Sequence, residues 1–164
     1  MRHLLKASGF LASIVFAAFG PEAGAQETST RYICQAIGAG APEALGDRDH
    51  HLISIDQTSC RVASGPMSGG ILTGMTIWEW NGPNAVLVSG NGIVRKGDAT
   101  VVYVQTEGKV AVTYADGKMT GFTASGKGRI AVATGDAASE AGKVTTWTVT
   151  PTGPRQMTVE EQID

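Results

Sequence analysis

Short runs of alternating apolar and polar residues recur along the chain, separated by pairs of turn-forming residues. The clearest case spans residues 107–135, where runs rich in Val, Thr, Tyr and Phe are punctuated by Glu-Gly, Asp-Gly and Ser-Gly. Period-two alternation bounded by such pairs is typical of antiparallel β-hairpins. Asp116-Gly117 suits the two positive φ angles of a type I′ turn, so residues 110–114 should pair with residues 119–124.

The same pattern predicts a series of extended segments and no long helix. Segments at this short and even spacing are typical of all-β folds and argue against a doubly wound fold. We therefore expect an antiparallel up-and-down meander of about eight strands that closes into a small β-barrel. Turns are expected at residues 81–84, 107–108 and 151–154. The extended segments are residues 32–37, 51–62, 71–80, 86–96, 101–106, 109–114, 119–125, 129–134, 143–150 and 157–163.

Alternation along the predicted strands indicates which side chains face the barrel interior. Trp78 and Trp80 share one strand face, and Glu79 lies on the other. Burying two indoles is more favourable than burying a carboxylate, so we expect both tryptophans to point inward. The same parity groups three further sets on single faces: Val110 with Val112 and Tyr114, Trp147 with Val149, and Met157 with Val159 and Ile163.

An interior lined by aromatic side chains can hold a small hydrophobic molecule. A barrel of about eight strands encloses a space that is either filled by side chains or wide enough for one ligand. The glycine pairs Gly90/Gly92 and Gly126/Gly128 mark bends and add no side chain to the interior, which favours a hollow barrel. The alternative is that the aromatic side chains simply pack as core. The pocket candidates are Trp78, Trp80, Tyr103, Tyr114 and Trp147.

The N-terminus has the composition of a secretory signal. Residues 1–25 combine a basic start, an apolar run at residues 10–19 and a small-residue end, Ala23-Gly24-Ala25. The alternative is a membrane anchor, but spanning a bilayer takes about 20 apolar residues and this run is shorter. We therefore expect a signal peptide at residues 1–25 and one soluble domain at residues 26–164, periplasmic or secreted, with no membrane span in the mature form.

Cys34 and Cys60 are the two cysteines of the chain. In an exported protein, a single disulfide is the natural interpretation of such a pair. A pair of buried free thiols is the alternative. Metal binding is the weakest interpretation, because two cysteines without CxxC spacing supply too few ligands for a structural zinc site.

Charge and motif context argue against nucleic acids and dinucleotide cofactors. The formal net charge is −2, and basic residues are scattered singly apart from Arg95-Lys96. Residues 126–131 match G-x-G-x-x-A, a relaxed dinucleotide fingerprint, but they lead into a β-branched run instead of a helix. We therefore expect no cofactor and no nucleic-acid partner, and the sequence indicates no particular oligomeric state.

Residues 47–51, Asp-Arg-Asp-His-His, contain donor atoms suited to zinc, copper or nickel. Adjacent strand residues point to opposite faces, so His50 and His51 would not converge on one ion, and we prefer a solvated charged loop with no metal. Without a G-x-S-x-G motif or a convincing Ser/His/Asp set, no catalytic residue is assigned. Two alternatives to a binding protein stay open: an isomerase or cyclase using Glu79 or Tyr114, and a structural envelope protein with a filled barrel.

Residues 125–135, Ser-Gly-Lys-Gly-Arg-Ile-Ala-Val-Ala-Thr-Gly, precede a small-residue loop and two polar β segments. This region resembles the G-x-G-(K/R)-(F/I)-x-x-A-x-G stretch of dirigent proteins and allene oxide cyclase-like barrels, over about the last third of the chain. The resemblance implies an eight-stranded β-barrel with a central cavity. Some members of these families cyclise apolar substrates or steer their coupling. None of the families' catalytic residues matches a position here, so no activity is carried over.

Overall fold

The computed structural model describes residues 28–164, so the expected signal peptide at residues 1–25 lies outside the described residues. A 3₁₀ helix, Gly135–Glu140, precedes the eighth strand, and within residues 28–164 no helix is long and apolar enough to cross a membrane. The strands are β1 (Thr28–Ala39), β2 (Glu43–Ala44), β3 (His51–Ser64), β4 (Ile71–Asn81), β5 (Asn84–Lys96), β6 (Ala99–Ala115), β7 (Lys118–Ala133), β8 (Val144–Gly153) and β9 (Gln156–Ile163).

The long strands form a closed antiparallel barrel. From β3 to β9 each long strand pairs with the next one along the chain, and β1 pairs with both β9 and β3. The two-residue strand β2 pairs only with β3, outside the ring of eight. The predicted all-β meander that closes into an eight-stranded barrel is therefore confirmed.

The predicted Asp116-Gly117 hairpin is present, but the predicted turn at Glu107-Gly108 is wrong. Asp116 and Gly117 have φ angles of 52° and 73°, as a type I′ turn requires, and they join β6 to β7. Residues 107–108 instead lie inside β6, next to a register shift between Gln105 and Glu107. Gly108 is needed there for close packing, because a Cβ atom at this position would lie 3.0 Å from the Trp78 ring.

One end of the barrel is closed by an apolar cluster. Val62, Val94, Val101 and Ile130 point inward at this end and are at most 1% exposed. Met67, from the loop between β3 and β4, and Ala137, from the 3₁₀ helix, pack onto the same cluster and are also buried. We call this the closed end. The opposite, open end carries the connections at residues 40–50, 82–83, 116–117 and 154–155.

The predicted disulfide between Cys34 and Cys60 is confirmed. The two residues are Cα partners on β1 and β3, and both are nearly fully buried inside the barrel. The bond therefore links the first strand to its neighbour on one side, while β9 holds it on the other. In the simple chain-entropy model, closing a loop of this size stabilises the fold by about 3.5 kcal/mol.

Candidate functional site

The barrel encloses a cavity of about 890 Å³ that extends from the closed end toward the open end. This volume falls within the range of about 300–1,000 Å³ that is usual for small-molecule sites. All eight long strands contribute lining residues. Near the open end, the lining includes Asp56, Met119 and Arg155.

Four of the five predicted pocket residues line this cavity: Trp78, Trp80, Tyr103 and Trp147. Trp78 and Trp147 are 7% and 8% exposed and pack in one cluster, with Trp80 against it. Trp78 Nε1 donates a hydrogen bond to Thr76 Oγ1 at 2.8 Å, and Trp80 Nε1 donates one to Ser54 Oγ at 2.9 Å. These two indoles thus have fixed orientations in the cavity wall.

The fifth predicted pocket residue, Tyr114, lies outside the cavity and is 59% exposed. Val110 and Val112 do face the cavity, as the alternation predicts. Tyr114, however, lies in the part of the β6–β7 hairpin that extends past the neighbouring strand, because the pairing of β5 with β6 ends at Ala111. The assignment of Tyr114 to the interior is therefore corrected.

Glu79 also points away from the cavity, as expected from the inward orientation of its tryptophan neighbours. Its carboxylate accepts a hydrogen bond from His51 Nε2 at 2.8 Å on the outside of the barrel. Neither residue suggested for an isomerase or cyclase therefore lines the cavity.

The predicted glycine pairs divide into two roles. Gly92 and Gly128 line the cavity, and Gly92 leaves space there, whereas a Cβ atom on Gly128 would lie 3.0 Å from the Val104 carbonyl oxygen. Gly90 and Gly126 are covered by other side chains: a Cβ atom on Gly90 would lie 2.7 Å from Gln105 Oε1, and one on Gly126 would overlap the Trp147 indole. These two glycines give room to Gln105 and Trp147 rather than to a ligand.

A group of polar side chains crosses the cavity just above the apolar cluster of the closed end. We call this group the polar floor, and at its centre Tyr32 Oη donates a hydrogen bond to Glu161 Oε2 at 2.6 Å. The Tyr32 hydroxyl also lies 3.1 Å from the Tyr103 hydroxyl. The polar floor consists of Tyr32, Tyr103, Gln105, Thr145 and Glu161.

Burial controls the protonation of this cluster. Glu161 is 5% exposed, and desolvation raises its pKa above the ordinary glutamate value. Hydrogen bonds from Tyr32, Thr145 and Tyr103 act in the opposite direction, because they favour the ionised carboxylate. Desolvation, together with the nearby Glu161 charge, also raises the pKa of Tyr32 well above its ordinary value and raises the pKa of Tyr103. Both phenols therefore remain hydrogen-bond donors at neutral pH.

Two polar atoms of the cavity wall have no hydrogen-bond partner among residues 28–164. They are Trp147 Nε1, a donor, and Gln105 Oε1, an acceptor, and each exposes less than 1 Å² of surface, toward the cavity as well as toward the outside. Trp147 is the direct Cα partner of Glu161 across β8 and β9. Buried polar atoms are nearly always hydrogen-bonded, so such a pair in one cavity is an exception that needs a chemical reason.

Glu161 is the main residue of the site that sequence reasoning did not identify. Its parity on β9 is that of Met157, Val159 and Ile163, the three residues grouped on one interior face. The sequence signal was therefore a carboxylate at a position where the alternation of the strand predicts an inward-facing apolar residue. Its partner Tyr32 gave no comparable signal, because the pairing of β1 with β9 joins residues 129 positions apart.

The charged segment at residues 47–51 forms an ion-pair network outside the open end. His51 is buried, and its two ring nitrogens bond Asp47 and Glu79, which raises the pKa of the imidazole. The hydrogen bond from His51 in turn lowers the pKa of Asp47. His50 is exposed and does not join the network, and within residues 28–164 no cluster of three or more His, Cys, Asp or Glu side chains has metal-site geometry.

The dinucleotide-like residues 126–131 lie inside strand β7, without the strand-to-helix context that such a fingerprint needs. No protein-family model matches this chain, and no curated protein matches it either. The site combines aromatic walls that can cover apolar surface with a buried set of hydrogen-bonding groups.

Proposed function

We propose that this protein is an exported β-barrel that binds one small, mainly apolar molecule in its interior. The observation that carries the proposal is the cavity of about 890 Å³ with three indoles, Trp78, Trp80 and Trp147, in its wall. Indole rings present flat apolar surfaces on which a ligand can stack. Removing apolar surface from water contributes about 25 cal/mol per Å², so a ligand enclosed on most sides gains several kcal/mol.

The cavity favours a binding protein over the two alternatives. A structural protein with a filled barrel would use its aromatic side chains to occupy the interior, whereas here they surround open space. An isomerase or cyclase using Glu79 or Tyr114 would need one of them to reach the ligand, and neither lines the cavity. The hollow barrel is also the architecture that the resemblance to dirigent and allene oxide cyclase-like proteins implies.

Export to the periplasm or the medium is the second part of the proposal. It is supported by the secretory composition of residues 1–25 and by the Cys34–Cys60 disulfide, a bond that persists in oxidising compartments. Expressing the full chain in a bacterial host and analysing the periplasmic fraction by mass spectrometry tests this. A protein that begins near Gln26 and carries no free thiol is expected; an unprocessed cytosolic chain would contradict export.

Ligand binding is tested by titrating fatty acids, terpenoids and phenolics while following tryptophan fluorescence and melting temperature. We expect a shift in emission and a higher melting temperature with at least one of these classes, because ligand stabilises the folded state. A panel that leaves both signals unchanged contradicts the proposal.

A pair of glycine variants separates cavity binding from surface binding. Gly92→Leu places a side chain in the cavity, since the nearest atom to a Cβ there is 3.5 Å away. It should lower affinity at least tenfold. Gly40→Leu is the matched control, because Gly40 is exposed, lies outside the cavity and has 3.6 Å to its nearest neighbour. Equal affinities in the two variants would place the ligand elsewhere.

A further inference from the structure

We propose that the end of the β6–β7 hairpin docks on a lipid surface, with Tyr114 and Met119 placed among the lipid headgroups. The inference goes beyond the proposed function, from which it takes only that the ligand is apolar. It assigns a partner to the open end of the barrel: the membrane that supplies or receives the ligand. Three features support it, namely the projection of the hairpin, its exposed apolar pair and the position of this pair at the cavity mouth.

The end of the β6–β7 hairpin projects from the barrel. The pairing of β5 with β6 ends at Ala111, and the pairing of β8 with β7 ends at Ala124. Beyond both points β6 and β7 continue to pair with each other, as far as Ala115 and Lys118. All residues from 113 to 120 are exposed, and we call them the hairpin tip. The hairpin tip is therefore a two-stranded projection at the open end.

Tyr114 and Met119 form an exposed apolar pair on the hairpin tip. They are direct Cα partners on β6 and β7, and they are 59% and 62% exposed. Within residues 28–164 no other large apolar side chain is as exposed as these two. Removing apolar surface from water contributes about 25 cal/mol per Å², so this pair favours a partner that covers it.

The apolar pair lies at the entrance to the cavity. Met119 itself lines the cavity, and the next inward-facing Cα pair of the hairpin, Val112 and Phe122, lines it further in. Phe122 in turn packs against the cluster that contains Trp78 and Trp147. An apolar lining thus runs from the hairpin tip to the indoles of the wall. An apolar molecule that leaves a membrane at the hairpin tip would enter the barrel along this lining.

The size and shape of the apolar pair favour lipid over a protein partner. At the observed exposure, two side chains of this size offer on the order of 250 Å² in total. A stable protein–protein interface needs about 800 Å² on each partner, and a projecting two-stranded tip has no groove for a partner segment. Insertion among lipid headgroups scales with the apolar area buried and has no such minimum, and tyrosine is enriched at this depth.

Charge contributes little to the proposed contact. Asp116 and Lys118 are the charged residues of the hairpin tip, and their charges cancel. The attraction to lipid should therefore come from burial of the apolar pair and should depend little on ionic strength.

Co-sedimentation of the purified, ligand-free exported protein with dioleoyl-phosphatidylcholine vesicles tests the inference. We expect binding whose partition coefficient changes less than about twofold between about 50 mM and about 500 mM NaCl, because salt screens charges and leaves apolar contacts intact. Protein that stays in the supernatant at both salt concentrations overturns the inference. Binding that is lost at the higher concentration would assign the attraction to charge and overturn it as well.

Two serine variants locate the contact. Tyr114→Ser removes one member of the apolar pair at a position outside the cavity wall, and it should lower the partition coefficient about fivefold. Ile71→Ser is the matched control, because Ile71 is 50% exposed at the start of β4, at the closed end of the barrel. Its partition coefficient should stay within about twofold of wild type. Equal losses in the two variants would overturn the assignment to the hairpin tip.

A second copy of the chain is the competing occupant of the apolar pair. Light scattering of wild type and Tyr114→Ser without vesicles should give the same molar mass. A wild-type dimer that Tyr114→Ser converts to a monomer would assign the apolar pair to self-association and overturn the inference. Ligand titrations in solution need no vesicles, so a failure of vesicle binding leaves the proposed function standing. The wild-type vesicle series decides the question even if a variant fails to fold.

Discussion

Trp147 and Glu161 lie directly opposite one another on β8 and β9, and both side chains face the barrel interior. The first has a donor without a partner among residues 28–164, and the second is a carboxyl group held by Tyr32. A directly opposed pair has its Cβ atoms about 5 Å apart, so one small molecule can touch both side chains. The cross-strand register therefore joins the aromatic wall to the polar floor.

Glu161 should make the stability of the protein depend on pH. Its folded pKa is raised by burial, so its contribution is fully present below the unfolded pKa of about 4.3 and is lost as pH rises through the folded value. Glu161→Gln cannot ionise, so its stability relative to wild type should improve with pH. Between the unfolded and folded pKa values of Glu161, the free energy of unfolding of the variant should rise relative to wild type by about 1.4 kcal/mol per pH unit.

Urea unfolding from pH 4 to pH 8 measures this difference. Glu43→Gln is the control for the loss of a glutamate charge, because Glu43 is exposed on the short strand β2. If the free energy of unfolding of Glu161→Gln and that of wild type change in parallel with pH over the whole range, a raised Glu161 pKa is contradicted.

The contribution of the His51–Asp47 pair to the stability of the protein should decrease both at high pH and at low pH. The raised His51 pKa means that its contribution is full below the unfolded value of about 6.5 and is lost as pH rises through the folded value. The lowered Asp47 pKa means that its contribution is full above about 3.9 and is lost as pH falls through the folded value. His51→Asn should therefore destabilise the protein more at pH 5.5 than at pH 9.

Melting temperatures at the two pH values test this, with His50→Asn as the matched control. His50 is exposed and has a φ angle of 57°, which asparagine tolerates well. An equal loss at both pH values in His51→Asn would assign that side chain a packing role without a charge contribution.

Removing the disulfide should destabilise the barrel by about 3.5 kcal/mol, the chain-entropy estimate for a loop of this size. The double variant Cys34→Ala, Cys60→Ala is suitable because both positions are buried and apolar. Urea unfolding of oxidised wild type against the variant gives the difference. Wild-type protein with two alkylatable thiols in the folded state would show that the bond does not form.

Gly126→Ala should destabilise the protein by about 1–3 kcal/mol, the usual cost of overpacking an interior. A Cβ atom at this position would overlap the carbonyl oxygen of Glu107 and the Trp147 indole, and the carbonyl oxygen cannot move without displacing its strand. Gly40→Ala, at an exposed position with 3.6 Å of clearance, should change stability by less than about 0.5 kcal/mol. Similar melting temperatures for the two variants would mean that the indole packs elsewhere.

Sequence alternation was enough to predict the inward tryptophans, because no register shift separates Trp78 from Trp80 and the period of two holds between them. It was not enough for Tyr114, since alternation does not tell how far the β6–β7 hairpin extends past β5, whose pairing with β6 ends at Ala111. The Glu107-Gly108 pair has turn chemistry and yet continues β6, because packing against Trp78 decides its conformation.

The polar floor is harder to predict from the sequence than the orientation of single strand residues. Parity could place Glu161 inside, but the energetic rule that charges avoid interiors argues against it unless its partners are known. Those partners, Tyr32 and Tyr103, are supplied by β1 and β6, and only barrel closure brings them to β9. A cluster assembled from three distant strands leaves no local pattern in the chain.

The double pairing of β1 has a consequence for the order of folding. β1 meets β3 early along the chain, but its other neighbour, β9, is the last strand, as the Arg31–Glu160 ion pair across 129 positions illustrates. Until β9 docks, β1 and β8 each present a free row of backbone donors and acceptors, the kind of edge that recruits strands from other chains. Pairing of residues 156–163 with β1 and β8 therefore removes these two exposed strand edges. A chain that is interrupted before residue 156 would keep both edges free and would be prone to aggregate, even with every other strand in place.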